Sequence, residues 1–315
     1  MEDDEDSDEG PLHWVDCNET DDDIERMLDR LARNPSCLNV HHPANSNGTP
    51  LFRAVSYGHH SCVDHLLKAG ADPNLDSPTA PVHISVFGDS LAITEMLLKN
   101  GALANAIAYA NKCTFMLSAC RMRAFETAKL LLDHGAITED LDYLRSLQPL
   151  DSRLQPEEEG YMYSFMLATP LAIAALEGHH EMFRMLLLRG ATPMISAAHH
   201  GVCQAVQDAH CVPRLVAHEM VGSAEQKCKM LQTFHEFGGN PMQRLRNKNH
   251  AYTKSEASNE VLHKLAKQLA CSVRPLRSIC RLVIFSAIGR DYENKVQKLN
   301  GMVPHPLLRF LKFES

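Results

Sequence analysis

One interval governs this chain. In four places a short opening sequence is followed 21 residues later by a glycine: Thr49 and Gly70, Ala80 and Gly101, Thr114 and Gly135, Thr169 and Gly190. The openings are themselves alike: Thr49-Pro50-Leu51-Phe52-Arg53-Ala54, Ala80-Pro81-Val82-His83-Ile84-Ser85, Thr114-Phe115-Met116-Leu117-Ser118-Ala119 and Thr169-Pro170-Leu171-Ala172-Ile173-Ala174. Between opening and glycine each copy carries a Leu-Leu pair, at 66–67, 97–98, 131–132 and 186–187. A unit this short cannot bury its own apolar face, so such units must stack on one another.

Each position has a physical reason. Proline at a first helical position loses no intrahelical N–H and arrives with φ preset, and the threonine before it can cap. Leu51, Ala54 and Val55 fall at i, i+3 and i+4 and should face inward. The small Ala54, Ser85, Ala119 and Ala174 allow neighbouring helices to approach closely. Gly58 and Gly178 suit the turn between paired helices, and the four later glycines suit left-handed helix ends.

The pattern resembles the ankyrin repeat, whose signature is T-P-L-H-x-A at a period near 33. The expected fold is therefore all-α: a solenoid of about six repeats over 21–241, followed by a small helical C-terminal element. Residues 21–40 (Asp22, Ile24, Met27, Leu28, Leu31) read as an N-terminal capping repeat, and Leu231–Pro241 as the tail of a further repeat. Thr192-Pro193-Met194-Ile195-Ser196-Ala197 mimics an opening but follows Gly190 by only two residues. About two dozen residues are inserted around 139–166. Insertions in solenoids emerge on one face, often the binding face, so Tyr161 and Tyr163 join Arg53 and Tyr57 as candidate target contacts.

Charge divides the chain. Residues 1–23 hold twelve acids and no Lys or Arg, while 242–315 hold fourteen basic residues against five acids. A like-charge run repels itself, so 1–20 is expected to be a solvated tail. The acidic start does not suit a secretory signal, and the apolar stretches are too short to span a bilayer. The expectation is a cytoplasmic protein, with the nucleus also open, whose ten cysteines are reduced thiols. The basic C-terminal part lacks the aromatic interleaving of a nucleic-acid module. Neither a nucleic-acid nor a membrane partner is expected.

After a linker helix expected in 242–270, Pro275 suits a helix start and Gly289 a stop. Between them Leu276, Ile279, Cys280, Val283, Ile284, Ala287 and Ile288 form one apolar stripe, while Leu282 and Phe285 form a second patch on another face. A helix apolar on two sides must be covered on two sides. Leu276-x-x-x-Cys280-x-x-x-Ile284 after Pro275 resembles the BC box that opens a SOCS box and binds elongin C. Cysteine there would act as a small, soft hydrophobe. Val303-Pro304-His305-Pro306-Leu307-Leu308-Arg309-Phe310-Leu311 resembles the cullin-5 box, L-P-Φ-P-x-x-Φ-x-x-(Y/F)-L. Placing Val303-Pro304 on its second Φ-P leaves Gly301-Met302 where the family has Leu-Pro.

Repeats followed by a SOCS box over 271–315 form the layout of the ankyrin repeat and SOCS box family. The resemblance implies a non-catalytic adaptor of a ubiquitin-protein ligase. Elongin C, in company with elongin B, would sit on Leu276, Ile279, Cys280, Val283 and Ile284. Cullin-5 with a RING protein would sit on Val303, Pro304, Leu307, Phe310 and Leu311, and an unidentified target protein on the repeats. The bland alternative is an ankyrin scaffold or inhibitor whose C-terminal helices merely cap the stack. His199, His200, Cys203, His210 and Cys211 crowd into thirteen residues, yet neither Cys-x-x-Cys nor His-Glu-x-x-His occurs, so no metal is expected. Catalytic motifs such as Gly-x-Ser-x-Gly and the phosphate loop are missing as well, so neither an enzyme nor a cofactor is expected.

Overall fold

Threonine before a helix supplies an oxygen to an amide that has no partner inside the helix, and three openings use it so. Thr49 Oγ1 accepts from the Phe52 amide at 3.2 Å, Thr114 from Leu117 at 3.2 Å and Thr169 from Ala172 at 3.1 Å. The computed structural model describes residues 21–41, 48–75, 81–105, 107–108, 113–138, 169–191, 212, 216, 220, 222–241, 256–272, 276–289 and 292–313. The acidic start, the insertion with Tyr161 and Tyr163, Pro275, and the stretch from Thr192 through the His/Cys cluster lie outside them. The chain divides into two compact units, Met1–Ala136 and Ile137–Ser315.

The first unit is a stack of helix pairs. Helix α1 (Asp21–Arg33) and a 3-10 turn (Pro35–Asn39) come first, where the capping repeat is expected. The pairs α2 (Pro50–Tyr57) with α3 (His60–Lys68), α4 (Pro81–Phe87) with α5 (Leu91–Lys99), and α6 (Phe115–Arg121) with α7 (Phe125–Asp133) follow. Helices α2, α4 and α6 pack in series, as do α3, α5 and α7. Ala54, Ser85 and Ala119 are buried where first helices meet, and Leu66, Leu97 and Leu131 are wholly enclosed. Each such leucine contributes roughly 1.5–3 kcal/mol of hydrophobic free energy. A two-residue antiparallel pairing, Ile107 with Thr114 and Ala108 with Cys113, joins the second pair to the third.

Side-chain amides tie the turns of successive pairs together. Asn39 Oδ1 accepts from the Asp72 amide at 3.0 Å. Asn74 accepts from the Leu103 amide at 2.8 Å and donates to the Gly101 carbonyl at 3.1 Å, and Asn105 donates to the Gly135 carbonyl at 3.0 Å. Gly70, Gly101 and Gly135 end the second helices at positive φ, as expected from their spacing.

The first described helices of the second unit are another such pair, α8 (Pro170–Leu176) and α9 (His180–Leu188). Helix α10 (Ala224–Glu236) packs on α9 and ends at Gly238, the glycine expected of a further repeat's tail. Its start is a capping box: Ser223 accepts from the Gln226 amide, and the Gln226 side chain accepts from the Ser223 amide. Helix α11 (Glu256–Cys271) packs on α10. Helix α12 (Leu276–Ile288), stopped by Gly289 at φ 72°, then carries α13 (Tyr292–Gln297) and α14 (His305–Leu311) against it.

Candidate functional site

Helix α12 has one dressed side and one bare side. At about 100° per residue, Cys280 and Val283 lie roughly 100–160° round the helix from Leu282 and Phe285, and Ile279 lies at the edge between the two faces, about 60° from Leu282. Phe285 meets three aromatic rings: Tyr292 at 4.7 Å between centroids, and Phe237 and Phe313 at 5.7 Å each, both edge-on. Phe237 and Phe313 stack at 4.3 Å. Leu282 reaches Gly238, where its Cδ2 lies 3.7 Å from the position a Cβ would occupy. A Cβ there would meet that leucine at ordinary van der Waals distance, and it is the φ of 98° that favours glycine at this position.

The opposite side faces solvent. Ile279 is 44% exposed and Val283 63%, and Cys280 and Ala287 are exposed with them, while Ile284 is half-buried. Leu276 takes the first helical position, as expected from Pro275 before it. The five residues read as one contact thus occupy one helix, and three of them, Ile279, Cys280 and Val283, are exposed.

The last helix is anchored from several sides. Tyr292, fully enclosed, donates its hydroxyl to the Leu311 carbonyl at 2.8 Å, and burial pushes its pKa up to about 12. Arg281 lays its guanidinium over both Phe310 and Phe313, 4.8 Å from each ring. Arg184 on α9 donates to the carbonyls of Lys312 at 3.2 Å and Phe313 at 3.4 Å. Among the residues that resemble a cullin contact, Leu311 is buried and Phe310 and Val303 are half-buried, whereas Pro304 and Leu307 are exposed. Arg184, Arg281 and Phe313 carry this arrangement, and sequence reasoning singled out none of them. An arginine whose partners lie 128 residues onward leaves no local periodicity to read.

In the first unit Tyr57 is 56% exposed at the end of α2. Its ring stacks on His59 at 5.6 Å and lies 5.9 Å from the Arg53 guanidinium. Arg53 itself is buried, so its side chain is not open to the direct contact expected from the sequence. Met122 stands at the same repeat position as Tyr57, eight residues after Thr114, and is also exposed.

The perturbed ionisable groups read as structural. Burial drives the Cys120 thiol up to about 12, which keeps it protonated and unreactive. Desolvation lowers His180, whose Nε2 lies 2.7 Å from the Thr233 hydroxyl and whose Nδ1 faces Glu181. Among the described residues no cluster of His, Cys, Asp and Glu is placed to hold a metal ion, and no helix is long and apolar enough to cross a membrane.

Comparison with known proteins agrees with this architecture. A model for ankyrin repeats in three copies matches residues 51–143, and a single ankyrin repeat matches 167–198. Human transient receptor potential cation channel subfamily A member 1 is 27% identical over 186 residues, 52% of this chain. Ankyrin repeat protein nuc-2 of Neurospora crassa is 29% identical over 187 residues, 59% of this chain. The matched stretches span only 17% and 15% of those two proteins. Among solved structures, the ankyrin repeat domain of human ASB11 aligns with a TM-score of 0.41 at 18% identity, covering 72% of this chain and 99% of that one. The chain thus carries ankyrin repeats, modules that bind other proteins, over 51–143 and 167–198.

Proposed function

We propose that this chain is the target-recognising subunit of a ubiquitin-protein ligase built with elongin B, elongin C, cullin-5 and a RING protein, acting in the cytoplasm. The observation that supports this reading is the bare side of α12: Ile279, Cys280 and Val283 are exposed while Leu282 and Phe285 are half-buried against the chain's own residues. A helix that only capped the repeats would turn its apolar stripe inward. Here Ile279, Cys280 and Val283, three members of the stripe that resembles an elongin C contact, are exposed. The cullin contact would use Val303, Pro304, Leu307, Phe310 and Leu311, with Pro304 and Leu307 as its exposed members.

The chain would supply no chemistry of its own. By holding a target through the repeats and the insertion, and the ligase through α12, it would raise the effective concentration of a target lysine at a charged ubiquitin carrier. Co-expression with elongins B and C tests the reading. A stable ternary complex is expected, and Val283→Glu should weaken it by about tenfold or more, because interface cores exclude charge. That substitution should leave the thermal midpoint of the isolated chain unchanged. Wild-type protein that stays monodisperse and never retains elongins would discard the ligase reading in favour of the scaffold.

A further inference from the structure

We infer that Arg184 is a positioning residue: with Phe313 it latches the C-terminal helices onto α9 and α10, so that the outward face of α12 is built before any partner arrives. The face's recipient rests on the proposed function above; the latch does not.

Arg184 leaves α9 and ends on the two carbonyls that follow α14, those of Lys312 and Phe313. Carbonyls at a helix C-terminus have no intrahelical partner and carry partial negative charge, so a guanidinium is suited to them both by hydrogen bonding and by charge. Phe313 holds φ 57°, a conformation that costs a bulky residue free energy and is retained only where contacts over-determine it. Those contacts are on every side: its ring stacks on Phe237 at the end of α10, meets Phe285 of α12 edge-on, and lies beneath Arg281. Arg184, Phe313, Phe237 and Arg281 therefore form one continuous connection from the repeat-like pair to the helix with the bare side. The Tyr292 hydroxyl on the Leu311 carbonyl closes the same turn from within.

Amide hydrogen exchange on the full chain tests this directly. Arg184→Ala should speed exchange across 276–311 by about tenfold or more, leave 170–188 unchanged, and leave the first unit unchanged as an internal control. Arg184→Lys, which keeps a charge but cannot reach two carbonyls as a fork, should recover only part of the protection. Phe313→Gly relieves the backbone but deletes the ring, and should act in the same direction. Unchanged exchange at 276–311 in both Arg184→Ala and Phe313→Gly would overturn the latch, as would equal acceleration of 170–188. With elongins B and C, Arg184→Ala should slow association more than it speeds dissociation. Should the wild-type chain not bind elongins, the exchange result still decides the latch while the ligase reading falls alone.

Discussion

The first helices of the repeats and helix α12 are of similar apolar character, yet the chain treats them in opposite ways. In α2 and α6 the residues that face the core are enclosed, with Ala54, Leu51 and Ala119 nearly without exposed surface. In α12 no described side chain is buried, even though Phe285 has three aromatic rings around it. The difference lies in what each helix has for neighbours. Helix α4 has a copy of itself before and after, in α2 and α6, and its small Ser85 lets both come close. Helix α12 has one such surface, made by Phe237, Tyr292 and Phe313, and none on the other side. Repetition supplies closure to the stack, and a single helix must obtain it from elsewhere.

Paired truncations press on that contrast most strongly. Leu66→Ala removes a side chain that is wholly enclosed between α2, α3 and their neighbours, and a loss of about 2–5 kcal/mol is expected in urea unfolding. Val283→Ala on the open side of α12 should change stability by less than about 0.5 kcal/mol. Equal losses at the two positions would mean that α12 is sealed in solution, and the contrast would disappear.

The aromatic cluster permits a sharper measurement through pH. The Tyr292 phenol is raised by burial from 10.0 to about 12. An unfolded chain therefore releases this proton first, and stability contributed by the group is complete below pH 10 and lost as pH climbs toward 12. Tyr292→Phe removes both the titration and the hydrogen bond to Leu311, leaving a buried carbonyl unpaired at a cost of roughly 1–3 kcal/mol. The gap in stability between wild type and this variant should be constant from pH 7 to 9 and shrink by pH 11.5. A gap that does not move with pH would show that the hydroxyl is hydrated rather than enclosed.

The repeats were legible because each of their requirements falls on a residue type that does little else so well. Threonine caps, proline starts, alanine admits a neighbouring helix, and glycine adopts positive φ. The two-sidedness of α12 was legible for the same reason, since its stripe and its second patch are separated by helical geometry alone. What covers the second patch was not. Phe237, Tyr292 and Phe313 are scattered over some 75 positions, and nothing in their spacing says that they meet. The capping box at Ser223 and Gln226 could have been found from its spacing, and it marks the start of α10 within a stretch that otherwise lacks the opening signature.

One turn in each repeat reveals where sequence and backbone disagree, and it offers the finest test of how self-sufficient the stack is. The ninth residue after the opening is Gly58 in the first copy and Gly178 in the fourth, at φ 74° and 69°. In the second and third copies the same place is held by Asp89 and Arg123, at φ 50° and 61°. A left-handed conformation costs an ordinary residue roughly 1–2 kcal/mol, and aspartate tolerates it better than arginine does. Asp89 also accepts a hydrogen bond from the Thr127 hydroxyl of the next pair at 3.3 Å. Glycine loses more entropy on folding, which offsets part of the relief. Arg123→Gly is therefore expected to stabilise the first unit by up to about 1 kcal/mol, and Asp89→Gly by less or not at all, because the link to Thr127 goes with the strain. Denaturant midpoints of the two variants would rank them. Should Asp89→Gly prove the more stabilising, the contact between successive repeats contributes nothing there, and their stability comes from apolar closure alone.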